Sequence, residues 1–188
     1  MKRMRLLTLA GLAGALAIAP ATADAQDAKK VSFGVMGGLS MPMGDLGDGY
    51  DSGFNITGSV HAPLSGKLRL RGDIGYESFA AKGIASVVDG TFNVLSFVGN
   101  VVLPLGQEAS AGGICPYVLG GAGLYRGSSE IELLGVSRSV SSTDLGINVG
   151  GGVEFKLSGF TTFAEARFVN VFSDGSSSWV PITFGVRF

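Results

Sequence analysis

The last ten residues of the chain, 179–188, constrain its fold more than any other stretch. Counted back from Phe188, every second residue is apolar, while Arg187, Gly185 and Thr183 lie between them. Side chains of a β-strand alternate between its two faces, so this segment is predicted to be a strand with one apolar and one polar face. A strand of this kind at a chain end needs a partner strand and a nonaqueous environment for its apolar face.

The same alternation recurs along the chain and predicts an all-β fold. The third run, 67–77, is the clearest, because Leu68, Leu70 and Ile74 alternate with charged residues. Each run is close to the ~10 residues that a tilted strand needs to cross a membrane. The eight predicted strands are 31–41, 54–64, 67–77, 92–105, 114–126, 143–156, 160–172 and 179–188.

The connections between these runs are predicted to alternate in length. Short ones follow the second, fourth and sixth strands, and they include the turn at Ser65-Gly66. Short periplasmic turns and longer external loops are typical of an antiparallel up-and-down transmembrane β-barrel with both termini on the periplasmic side. The predicted extracellular loops are Pro42–Gly53, Ala80–Gly90, Gly127–Ser142 and Ser173–Ser178.

The amino terminus is typical of an exported protein. Lys2, Arg3 and Arg5 precede an apolar run that ends near Pro20, and small residues follow up to Ala25. This pattern predicts a signal peptide at residues 1–25, since the apolar run is too short for a membrane-spanning helix. A short periplasmic leader, 26–30, and a barrel, 31–188, then make up the mature chain.

Charge and cysteine content exclude several classes of protein. Without the signal peptide the chain has 11 basic and 14 acidic residues, a balance that argues against a nucleic-acid partner. Cys115 is the single cysteine, so an intramolecular disulfide is excluded, and a small apolar strand residue is the expected role.

Aromatic residues near the predicted strand ends indicate two membrane-interface girdles. The alternation by itself also fits a lipocalin-like soluble barrel, in which the apolar face lines a ligand cavity. We expect Tyr76, Phe79, Tyr125, Phe172 and Trp179 in the outer ring, and Phe33, Tyr117, Phe155, Phe160 and Phe188 in the inner ring.

Two fragments, 116–123 and 183–188, resemble the small eight-stranded outer-membrane β-barrels, the group of the OmpA transmembrane domain and OmpX-like proteins. The resemblance implies a monomer among outer-membrane lipids of a Gram-negative-type bacterium. The final strand also resembles the carboxy-terminal signature that the barrel-assembly machinery recognises. Phe184, Val186 and Phe188 are the residues of this predicted assembly signal.

Charged residues on the polar faces of the strands are predicted to point into the barrel. A buried charge needs a partner or hydration, so we expect a network in the lumen. Whether it plugs the barrel or outlines a narrow water path stays open at this stage. Its predicted members are Arg69, Arg71, Asp73, Glu77, Glu154, Glu165, Arg167 and Arg187.

The sequence indicates no catalytic, cofactor or metal site. Asp45, Asp48 and Asp51 lack the spacing of an EF-hand loop. His61 lies two residues after Ser59, but neither matches a catalytic motif of lipid A-modifying barrels. We therefore expect a structural or surface-interaction role through the extracellular loops. The alternatives are a low-conductance porin-like channel, a lipid-modifying enzyme and a lipocalin-like binding barrel.

Overall fold

The computed structural model describes residues 31–82, 89–106, 113–133, 136–173 and 176–188. The predicted signal peptide and leader lie outside these ranges. The described elements, in chain order, are β1 (Ser32–Met43), α1 (Gly44–Gly49), β2 (Gly53–Ser65), β3 (Leu68–Ala80), β4 (Asp89–Pro104), β5 (Ile114–Leu133), β6 (Val136–Lys156), β7 (Thr161–Val171) and β8 (Ser177–Arg187).

The eight strands form a closed antiparallel barrel, as the sequence predicts. Each strand pairs with the next, and β8 pairs with β1. The closing register runs from Gly34 opposite Arg187 to Met43 opposite Ser178. Phe33 and Phe188 add two backbone hydrogen bonds of 2.9 Å at the end of this seam. Closure leaves no unpaired strand edge within the barrel wall, which is the condition for a sheet to exist inside a bilayer.

The two faces of the barrel wall differ in polarity. Leu39, Phe54 and Ile74 point outward and are 62%, 54% and 57% exposed. Ser40 and Asp73 point into the lumen and are 0% and 4% exposed. This apolar outer surface around a polar interior is the reverse of a soluble binding barrel, whose apolar face lines its cavity.

The barrel has two chemically different ends. The turn end carries the start of β1, the end of β8 and the connections β2–β3, β4–β5 and β6–β7. The loop end carries the other four connections. Gly66 and Gly159 lie in two of the turn-end connections with φ of 58° and 100°. These backbone angles fall in the left-handed region that glycine adopts without steric strain, which fixes the chain reversals there.

Two predicted loops are wrong in part. The stretch Gly127–Ser142 is a paired β-hairpin, because β5 continues to Leu133 and β6 begins at Val136. Its apolar alternation weakens beyond the barrel, yet the backbone ladder continues, since ladder hydrogen bonds do not require apolar side chains. In the first loop, β1 extends to Met43 and α1 follows it. No helix in the described ranges is long and apolar enough to cross a membrane.

Candidate functional site: the barrel lumen

The middle of the lumen is spanned by a salt bridge between Arg71 and Glu165. Arg71 Nη1 lies 2.7 Å from Glu165 Oε2, and Arg71 Nη2 lies 2.9 Å from Glu165 Oε1. Both side chains are at most 2% exposed. Tyr117, on β5, donates its hydroxyl to Glu165 Oε2 at 2.6 Å. The bidentate geometry is the strong form of an arginine–carboxylate contact.

A second ion pair lies beside the first. Arg167 Nη1 donates to Asp73 Oδ2 at 3.0 Å, and Arg71 Nε donates to the same oxygen at 3.1 Å. The Asn100 amide donates to it as well, at 3.0 Å. We call Arg71, Asp73, Glu165 and Arg167 the central bridge. Its two positive and two negative charges cancel, so it contributes no net charge to the lumen.

A second charged layer lies nearer the turn end. Glu154, on β6, accepts two hydrogen bonds from Arg69, at 2.8 and 3.2 Å. It accepts two more from Arg187, at 2.8 and 3.3 Å. We call these three residues the turn-end triad. Its side chains are 12–16% exposed, so this layer is closer to solvent than the central bridge.

Glu77 lies on the other side of the central bridge, toward the loop end. It is 9% exposed, and its Oε2 atom has no hydrogen-bond partner among the described residues. The structure therefore places all eight predicted network residues on the lumen side of the wall, in three layers. Seven of them form direct ion pairs within the described part of the chain.

The loop end of the lumen is filled by an aromatic cluster. Trp179 makes edge contacts with Phe79 and Tyr125, at ring-centroid distances of 6.2 and 5.8 Å. Leu46 of α1 is buried in the same cluster. We call these four residues the aromatic plug. Lys82 holds α1 over it, because its Nζ donates to the Gly47 carbonyl and its N–H donates to the Gly49 carbonyl.

The plug corrects the predicted aromatic girdles. Phe79, Tyr125 and Trp179 were expected outside, but they are 0%, 4% and 1% exposed within the lumen. Tyr117 is predicted in the inner ring, on the membrane-facing side of the wall, but it is 3% exposed within the lumen. Side chains an even number of residues apart on a strand lie on the same face. Phe79 is an even number of residues from Arg71 on β3, and this spacing places Phe79 in the lumen. The other six predicted girdle residues do face outward: Phe33, Tyr76, Phe155, Phe160, Phe172 and Phe188.

Ser59 and His61 both point into the lumen near the turn end. Ser59 Oγ lies 3.0 Å from His61 Nε2. The His61 Nδ1 atom has no hydrogen-bond partner among the described residues, so no carboxylate orients the ring as an activated serine requires. No group of three potential metal ligands occurs in the described ranges, Asp45, Asp48 and Asp51 included.

The predicted assembly-signal residues lie on the outer face of β8 and at its end. Phe184, Val186 and Phe188 are 66%, 39% and 65% exposed. Phe184 and Val186 border a shallow apolar depression on the outer wall. Their recognition by an assembly machinery stays a prediction.

Comparison with known proteins assigns the family. A model of the outer membrane protein beta-barrel domain matches residues 8–188. The chain belongs to that family. No curated protein sequence matches it. As an outer-membrane barrel it has its turn end in the periplasm and its loop end outside the cell. The soluble lipocalin-like interpretation is therefore wrong.

Solved structures with a similar fold include two bacterial proteins, NspA and Ail. Neisserial surface protein A (NspA) is similar with a TM-score of 0.58 and 20% identity, over 84% of this chain and 95% of that one. Ail, the attachment invasion locus protein of Yersinia pestis, gives 0.57 and 18%, over 84% and 97%. A structure of Ail with the heparin analogue sucrose octasulfate gives 0.56 and 16%, with the same coverage. At these identities the likeness concerns the fold alone.

Proposed function

We propose that this outer-membrane barrel is closed to passive solute flow and acts through its extracellular end. The observation that carries the proposal is the central bridge. Strands β3 and β7 are four positions apart in a ring of eight, so Arg71 and Glu165 connect opposite walls. An eight-stranded barrel is only just wide enough for its own side chains, and here those side chains pair across the lumen.

Two further layers support closure. The aromatic plug lies above the central bridge, and the turn-end triad lies below it. A solute would have to separate ion pairs that are almost fully buried, and then displace packed rings. Separating buried charges without new partners is costly. A monomer fits this picture, since the closed register leaves no free strand edge within the barrel wall.

The extracellular end is the part of the barrel that can meet partners. The β5–β6 hairpin extends the sheet there, and α1 covers the lumen. Among the side chains that the structure describes at this end, two are basic (Lys82 and Arg126) and four are acidic (Asp45, Asp48, Asp51 and Asp144), so the described surface is acidic. An acidic surface attracts cationic partners and repels polyanions. We therefore propose a cationic ligand, in contrast to the sulfated one in the Ail complex.

Planar-bilayer recording tests closure. Refolded wild-type protein should give no unitary conductance steps, and the Glu165→Gln and Arg167→Gln variants should lose stability without gaining steps. Steps in the wild type that change size with either substitution would instead establish the alternative, a small passive channel.

Cell-surface binding tests the extracellular role. Cells that display the protein should bind fluorescent poly-lysine more than cells without it, and they should not bind sucrose octasulfate. Substituting Asp45, Asp48 and Asp51 by Asn should reduce poly-lysine binding, while the Arg126→Gln control should not. Equal binding by the displaying and empty cells would overturn this part of the proposal.

A further inference from the structure

We propose that the periplasmic mouth of the barrel binds a small phosphate-bearing anion. A cavity of about 860 Å³ lies at this end, between the β2–β3 and β6–β7 turns. Four of its lining residues carry a positive charge: Lys67, Arg69, Lys156 and Arg187. We call this cavity the periplasmic vestibule. Its volume is within the ~300–1,000 Å³ of typical small-molecule sites.

The positive charges of the vestibule outnumber the acidic side chains that neutralise them. The turn-end triad contains two guanidinium groups and one carboxylate. Each Glu154 oxygen already accepts one hydrogen bond from Arg69 and one from Arg187. Lys67 and Lys156 add two further charges at the rim. Glu154 is the only acidic side chain among the described residues at this site, so those residues leave a net positive charge there.

Buried polar atoms without partners point to the same place. Arg69 Nε is buried and makes no hydrogen bond among the described residues. His61 lines the vestibule, is 5% exposed, and its Nδ1 is likewise unpartnered. A buried donor or acceptor without a partner lowers stability, so a ligand that satisfies these atoms would be favoured.

The chemistry of these groups selects the class of ligand. Guanidinium groups present fixed pairs of N–H donors that match the oxygens of phosphate, and ammonium groups add positive charge without fixed geometry. The central bridge closes the lumen above the vestibule, so the ligand enters from the periplasm and stays at the mouth. It is either a free phosphate compound or the headgroup of an anionic phospholipid in the periplasmic leaflet.

Binding measurements on the refolded full barrel test the proposal. The protein is kept in a maltoside detergent without phosphate. Inorganic pyrophosphate is titrated calorimetrically at constant ionic strength, and retention of short-chain phosphatidylglycerol is measured by native mass spectrometry. The test variant carries Lys67→Gln and Lys156→Gln, which are two exposed positions. The matched control carries Lys82→Gln and Arg126→Gln at the extracellular end.

Saturable binding of pyrophosphate that weakens about five- to tenfold in the test variant, and not in the control, supports the proposal with a free anion as ligand. Retention of phosphatidylglycerol alone, with the same dependence on Lys67 and Lys156, supports it with a lipid headgroup as ligand. Saturable binding of neither probe, or equal loss in both variants, overturns it.

Discussion

Arg71 and Glu165 meet across the full width of the barrel. Their strands face each other in the ring, and the two side chains pair through hydrogen bonds of 2.7 and 2.9 Å. The pair connects opposite walls of the barrel. Neither side chain is more than 2% exposed. Because the surroundings exclude water, each charge depends on its partner for compensation.

Glu165→Gln should therefore lower the free energy of unfolding by roughly 3–5 kcal/mol, the usual cost of leaving one charge of a buried pair uncompensated. The glutamine keeps an acceptor for Tyr117 but removes the negative charge that faces Arg71 and Arg167. Urea unfolding, followed through the fluorescence of the single Trp179, measures the change.

The exposed Asp48→Asn on α1 is a matched control and should change stability by less than about 0.5 kcal/mol. Adding Arg71→Met to Glu165→Gln should restore part of the loss, since the uncompensated charge is then removed. A loss below about 1 kcal/mol for Glu165→Gln would mean that water compensates Arg71 and that the lumen is hydrated.

The architecture of this chain could be predicted from its sequence because alternation carries the necessary information. Leu68, Leu70 and Ile74 alternate with charged residues, and this parity identifies both faces of β3. The charged residues of the lumen follow from the same count. Their pairing could not be predicted, because Arg71 and Glu165 are 94 positions apart, and their contact depends on the closure of the ring.

The inward aromatic residues were missed for a different reason. Their closeness to strand ends suggested membrane girdles, whereas their parity places Phe79 on the face of Glu77 and Trp179 on the face of Arg187. On β5 no charged lumen residue fixes the parity of Tyr125. Parity relative to a lumen charge is thus the better guide, since rings fill the interior as readily as they line the interface.

Trp179→Ala should destabilise the barrel without opening it. The substitution removes the ring that contacts Phe79 and Tyr125, and deletion of a buried aromatic side chain costs roughly 3–5 kcal/mol. The central bridge remains in place below, so planar bilayers should show no conductance steps. Heat-dependent gel mobility measures the stability. Phe172→Ala is the control, because this ring is 58% exposed on the outer face. Conductance steps in Trp179→Ala would contradict the prediction and would show that the aromatic plug alone closes the lumen.

Phe188→Ser should impair assembly in cells more than folding in detergent. Phe188 is 65% exposed and adds two backbone hydrogen bonds with Phe33, which serine can also make. A decrease in the amount of assembled barrel that occurs only in cells would therefore reflect recognition of the final strand. The measurement compares the outer-membrane fraction in cells with refolding yield in vitro. Phe160→Ser serves as the control, because the Phe160 ring is 43% exposed at the same end of the barrel. An equal decrease of assembled barrel in cells for both variants would contradict a terminal assembly signal.

Gly38→Ala should weaken the seam that closes the barrel. Gly38 lies on β1 opposite Thr183 of β8. A Cβ atom there would come within 1.9 Å of the Ile182 carbonyl oxygen and 2.9 Å of Thr183 Cα, both of them backbone atoms. The strands must separate to admit it, so we expect a loss of at least about 1–3 kcal/mol, the range for overpacked sites.

Gly58→Ala is the matched control for this seam. A Cβ at Gly58 meets nothing within 4 Å, and the residue is paired on both sides with β1 and β3. Alanine there should change the free energy of unfolding by less than about 0.5 kcal/mol. The temperature at which each variant loses its compact gel mobility compares the two. Equal temperatures would show that β1 and β8 can separate locally without cost, and closure would then depend on the cross-lumen ion pairs rather than on the backbone register.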